Sequence, residues 1–114
     1  MSHLSILPTV LRDAEWLASS LRALGFHPRW GGDLKGFASD RFAVVLQVQL
    51  KVGQPLGWSR QHDGSLALVG DLQRISRSSS LQALLSRITR HYAATKALAD
   101  ASQHLGQANI SISR

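Results

Sequence analysis

Between Phe42 and Asp71 the chain runs through three successive stretches in which apolar and polar residues alternate, and that period of two commits the centre of the molecule to a sheet. In the first stretch, Phe42 to Lys51, Val44, Leu46, Val48 and Leu50 take one face, while Val45, Gln47 and Gln49 take the other. Such a strand suits an antiparallel sheet with one face on a core and the other at least partly wet. Gly53 to Pro55 turns the chain into a second stretch, Leu56 to His62, where Trp58 and Arg60 alternate with Gly57, Ser59 and Gln61. Asp63-Gly64 is a strong short-range hairpin signal and predicts a type I′ turn; Ser65 to Asp71 then returns beside its neighbour. A three-stranded meander of this kind needs a cover for its apolar face.

The flanking segments supply that cover. Ser2 to Leu7 alternates, with Leu4 and Ile6 on one face, and reads as a half-buried first strand ended by Pro8. Thr9 is the expected N-cap of a helix in which Val10, Ala14, Leu17, Leu21 and Leu24 recur at helical spacing. Gly25 followed by Phe26 predicts a Schellman stop, with Phe26 touching Leu21. A short strand is expected near Arg29 and Trp30, then a loop holding Gly31, Gly32 and Gly36. That loop lacks the Gly-Lys-Ser/Thr ending of a phosphate loop and reads as a turn. Ser79 with Gln82 fits a capping box for a long helix whose stripe is Leu81, Leu84, Leu85, Ile88, Tyr92, Thr95 and Ala99. Gly106 is expected to close it, and Asn109 to Arg114 to form a last strand. The expected fold is one α+β domain over residues 1–114: an antiparallel sheet with two helices packed on one face, close to a ferredoxin-like sandwich with an inserted β-hairpin. Leu4 and Ile6 would then be core.

Composition narrows the chemistry. There is no cysteine, so disulfides, thiolate nucleophiles and Cys-ligated metal sites are excluded. No apolar run approaches the roughly 20 residues of a membrane helix, and no leader pattern precedes the first strand. The expected setting is the cytoplasm, with Met1 to Leu7 part of the fold itself. The formal charge is +6, arginine outnumbers lysine, and Glu15 is the single glutamate. A basic surface favours acidic partners, nucleic acid among them, but charge alone better supports a small basic domain from a genome biased toward arginine codons.

Three short motifs carry a family resemblance. They are Met1-Ser2-His3-Leu4-Ser5, the stretch Asp63-Gly64 through Val69-Gly70-Asp71-Leu72-Gln73, and Thr89-Arg90-His91-Tyr92-Ala93. On these the chain resembles the hypothetical chloroplast reading frame thirty-five family of cyanobacteria and red-algal plastids, a domain of unknown function. It departs from that family at Arg74-Ile75, where aromatics are usual, and at Arg90-His91, where Gln-Arg is usual. The resemblance implies a photosynthetic-lineage protein and no particular activity.

The polar residues supply little for catalysis. His3, His27, His62, His91 and His104 show no His-x-His or His-Glu-x-x-His spacing, the carboxylates are scattered, and Gly-x-Ser-x-Gly is absent. No catalytic residue, metal ligand set or cofactor is assigned. For binding, Trp16 projects away from the apolar stripe of its helix, with Arg12 one turn back, and suits an interface anchor. The other reading is that the glycine-rich loop covers Trp16 or that Arg12 stacks on it. Arg87 and Arg90 lie on the long helix away from its apolar stripe, and His3 stands at a sheet rim. His3, Trp16, Arg12, Arg87 and Arg90 are thus the candidates for contact with an unknown protein partner, an acidic one or a second copy of the chain. An alternative uses Trp58, Arg60 and His62 on an open sheet face, with Arg74 and Arg77, to bind RNA. A second alternative places a small-ligand or metal site near His3. The leading expectation is a non-catalytic interaction module.

Overall fold

The computed structural model describes residues 4–35, 41–50 and 55–112, with the backbone alone for residue 72 and residues 104–112. A five-stranded antiparallel sheet lies at its centre in the order β1-β7-β6-β5-β2. These strands are β1 (Ser5–Pro8), β2 (Arg29–Trp30), β5 (Leu46–Val48), β6 (Leu56–Arg60) and β7 (Leu66–Gly70). A second, two-stranded sheet pairs β3 (Asp33–Lys35) with β4 (Arg41–Ala43). Three helices complete the chain: α1 (Ala14–Ala23), the short α2 (Leu72–Ser76) and α3 (Ser79–Ile112). The class is the expected α+β.

Register shows which side chains face the helices. Leu46 pairs with Trp58 and Trp58 with Leu68, while Val48 pairs with Leu56. Those five, with Leu66, share one core with Leu17, Leu21, Ile88 and Tyr92 from the helices. Trp58 is only 1% exposed, the largest fully buried side chain in the molecule. The opposite face is not left wet. Leu34 and Val44, from the β3–β4 hairpin and its exit, pack with Leu4 and Val69 in a second cluster, with Phe42 beside it. All five residues of β7 are buried, because the strand is covered on both sides.

This second layer explains why the long alternating stretch from Phe42 to Lys51 is not one strand. The chain bends at Val44 and Val45, so β4 pairs with β3 while β5 pairs with β6. Val44 therefore enters the second cluster, whereas Leu46, Val48 and Leu50 enter the first. The hairpin approaches closely over Gly57, where a β-carbon would stand 2.8 Å from Val44 Cγ1 and 3.3 Å from Leu34 Cδ1.

Several local expectations are corrected. The first helix begins at Ala14 and not after Thr9: Asp13 is the N-cap, its carboxylate accepting the Trp16 N–H at 3.0 Å. Thr9 instead donates its hydroxyl to the Leu66 carbonyl at 2.6 Å and ties the connection to β7. Val10 thereby falls outside the helix and is 81% exposed. Ile6, expected in the core, is 42% exposed: it pairs with Val69 on the side away from the helices, where the hairpin's cover does not enclose it. The hairpin turn closes from Gly64 N–H to the Gln61 carbonyl at 3.0 Å, so its central pair is His62-Asp63. Gly64 follows at φ +88°, a bulge geometry and not a two-residue type I′ loop. Ser78, not Ser79, caps α3, accepting the Leu81 N–H at 3.1 Å. Gln82 reaches back to the carbonyls of Ile75 and Ser76 and so fastens α2 to α3.

The expected last strand does not form over residues 109–112, and residues 113–114 lie outside the described residues. Residues 109–112 continue α3, which passes Gly106 without a break and has 34 residues. One glycine in a helix interior costs only about 1 kcal/mol relative to alanine, less than the cost of nucleating a new element. At about 1.5 Å per residue such a helix outreaches the sheet, and the molecule is 60 Å along its longest axis. The Schellman stop of α1 forms as expected, with Phe26 N–H on the Leu21 carbonyl at 2.9 Å and Gly25 at φ +96°. Among the described residues no helix is long and apolar enough to cross a membrane.

Candidate functional site

The seam between α1 and α3 takes up Trp16, the tryptophan that stood out in the sequence. The two helices run antiparallel, so low numbers on one meet high numbers on the other. Trp16 is half-buried; its indole N–H donates to Thr95 Oγ1 at 2.8 Å, and Lys96 Nζ lies 5.2 Å from its ring centroid. Arg12 does not stack on it. Its guanidinium donates to the backbone carbonyl of Asp63 and holds the hairpin turn. Tyr92 Oη accepts the N–H groups of Asp13 at 2.9 Å and Arg12 at 3.3 Å, satisfying the backbone ahead of α1. His91 Nδ1 lies 3.1 Å from Ser20 Oγ. The Asp63 carboxyl is held below its ordinary value of 3.8, first by hydrogen bonds from the Ser65 side chain and backbone and then by the Arg12 charge.

The structure separates the residues of the RNA reading. Trp58 lies under the helices, so it forms no open-face patch with its strand mates. Arg60 is exposed and donates to the Arg12 and Gly64 carbonyls at 3.3 and 3.2 Å. His62 is exposed in the turn, and Arg74 and Arg77 are exposed on and just after α2. Arg87 and Arg90 are exposed on α3, apart from Arg12 and Trp16. His3 lies outside the described residues. No group of three or more potential metal ligands converges among the described residues.

Three of the concave regions formed by the described residues are large enough to consider. An open cleft of about 590 Å³ is lined by Arg12, Arg60 and Lys96, by the carboxylates Asp13 and Glu15, and by the 54% exposed Trp30. Mixed charge leaves it no clear preference for an anion. A groove of about 240 Å³ runs between the free edge of the sheet and α3, lined by Leu7, Val10, Leu85 and Ile88. A third, of about 600 Å³, lies where the end of α1 meets the α2–α3 corner.

The second of these was invisible in the pattern reading. Among the described residues β1 is an edge strand, paired only with β7. Ile6 and Leu7 on it, and Val10 just after it, are 42%, 46% and 81% exposed. They are three of the five large apolar side chains exposed among the described residues. The signal that could have found Val10 is Asp13: as the helix cap it leaves Val10 outside the helix.

A sequence profile of the family described as "Protein of unknown function (DUF1257)" matches residues 20–109. Comparison with curated proteins and with solved structures returned no similar chain.

Proposed function

This chain belongs to the DUF1257 family, and we propose that it is a non-catalytic interaction module that docks another polypeptide along its β1 edge. The observation that carries this reading is the exposed apolar edge: Leu7 on β1 and Val10 just after it line the groove beside α3, and Ile6 is exposed on the opposite face of the strand. Natural sheets blunt their edges with charge, and an apolar edge is a template for a further strand. The segment Leu4 to Leu11 contains no charged residue in a chain of net charge +6. The groove beside it, lined by Leu85 and Ile88, accepts alternate side chains of an added strand. An antiparallel partner strand fits, including the β1 of a second copy, since two identical uncharged edges meet without repulsion. The reading also takes the chain to be a member of the hypothetical chloroplast reading frame thirty-five group, acting in the cytoplasm or stroma of a photosynthetic cell; the three short motifs support this.

The test pairs Leu7→Asp with Val10→Asp. Both side chains are exposed, so the fold is expected to persist. Wild-type protein purified from the native host is expected to carry a stoichiometric partner or to sediment as a dimer, and the double variant to lose it. An unchanged partner set and an unchanged mass would sink the proposal.

A further inference from the structure

We propose that the groove between the end of α1 and the α2–α3 corner binds a single-chain amphiphile with a carboxylate head, held by Arg74. Its volume, about 600 Å³, lies within the range of small-molecule sites. Three separate elements supply its apolar lining: Leu24 and Phe26 at the end of α1, Leu50 after β5, and Leu81 and Leu84 on α3. Leu24, Phe26, Leu81 and Leu84 are each only half-buried, although all pack on the main core. Folding has thus left four large apolar side chains turned partly into one concavity. An apolar body placed there completes a burial that the chain begins.

Among the described residues, the polar side chains of the lining lie at the α2–α3 corner: Arg74, Ser78 and Ser80. Among the described residues no acidic side chain lines the groove, and none occurs between Leu72 and Ala99 in the sequence. Asp71, in the same corner, is buried and accepts the backbone N–H of Arg74 as the cap of α2, leaving the guanidinium uncommitted by that bond. A single guanidinium offers a planar fork that matches one carboxylate. A phosphate dianion calls for more positive charge than the one guanidinium among the described lining residues. The groove therefore selects a long apolar chain ending in one carboxylate.

Palmitate is the probe, titrated calorimetrically into the full-length protein below its self-association limit. Saturable binding of one molecule per chain is expected. Hexadecanol, with the same chain and a neutral head, should bind about ten-fold more weakly. Arg74→Gln should lower palmitate affinity about ten-fold and leave hexadecanol unaffected, since one charge-assisted bond is lost. Arg77→Gln, on an exposed arginine outside the groove, should change nothing. Leu84→Trp should block both probes, with a thermal melt confirming that the variant is folded. Four results overturn the proposal: no saturable palmitate binding, equal affinity for palmitate and hexadecanol, wild-type palmitate affinity in Arg74→Gln, or association with phosphatidylglycerol vesicles alone.

Discussion

Replacing Gly57 with alanine sets two effects against each other, and the structure decides the sign. By local rules the change should help: alanine restricts the unfolded chain, and glycine in a strand interior is unfavourable. That gain is about 0.4–1 kcal/mol. In the fold, the new methyl group would lie 2.8 Å from Val44 Cγ1, 3.3 Å from Leu34 Cδ1 and 3.4 Å from the Leu46 carbonyl. The first distance requires something to move. Val44 is β-branched, 6% exposed and packed in the second cluster, so it yields at a cost. Overpacking of this kind costs about 1–3 kcal/mol. The net expectation is a loss of about 0.5–2 kcal/mol. Urea denaturation should show a lower midpoint at unchanged slope. Val44→Ala removes the atom that clashes, so the glycine substitution should cost about 1 kcal/mol less in that background, a coupling read from the double-mutant cycle. If Gly57→Ala is as stable as wild type, the hairpin does not lie on the sheet as described.

Three further outcomes test other parts of the structure. Trp16→Phe should lower stability by about 1 kcal/mol through loss of the Thr95 hydrogen bond, and little further in a Thr95→Val background; a tryptophan serving only a partner would leave the melting temperature unmoved. Ser78→Ala should cost about 1 kcal/mol and Ser79→Ala very little, measured by thermal melts; the reverse order would restore the cap to Ser79. The folded-state pKa of Asp63 lies below its ordinary value of 3.8, so its contribution is present above that value and is lost as pH falls through the folded pKa. The stability gap between wild type and Asp63→Asn should therefore be level from pH 7 to about 5 and close in stronger acid; a gap that widens in acid would contradict the Ser65 and Arg12 contacts.

Much of the architecture was legible because it depends on neighbours in sequence. The Schellman stop at Gly25-Phe26 needs only a residue free to adopt positive φ and an apolar residue after it. The meander of β5, β6 and β7 follows from the period of two, and the stripe on α3 from the period of 3.6. The misreadings share a cause. Thr9 and Asp13 are both good caps, and Thr9 is withdrawn from the contest by its bond to Leu66, 57 residues away. Phe42 to Lys51 has the pattern of one strand, and the bend at Val44 arises because two sheets compete for it. Ile110 and Ile112 alternate like a strand but continue a helix already nucleated on the core.

The candidate sites divide in the same way. Trp16 stood out in sequence because it left its own helix's stripe, yet nothing local shows that Thr95 and Lys96 meet it. Trp58 could be assigned to the core or to an open face, depending on which side the helices took. Val10 looked buried until Asp13 fixed the start of α1, and the groove beside Arg74 joins residues from 24 to 84.

By itself the sequence determined the α+β class, the antiparallel meander, the two main helices, the basic character and the exclusion of thiol chemistry, because periodicity and composition act within a few residues. The tertiary structure alone decided which face of the sheet each helix and hairpin covers, and hence which apolar residues remain at the surface. That choice rests on contacts between distant segments, whose packing energies outweigh local preferences of a few tenths to about 1 kcal/mol.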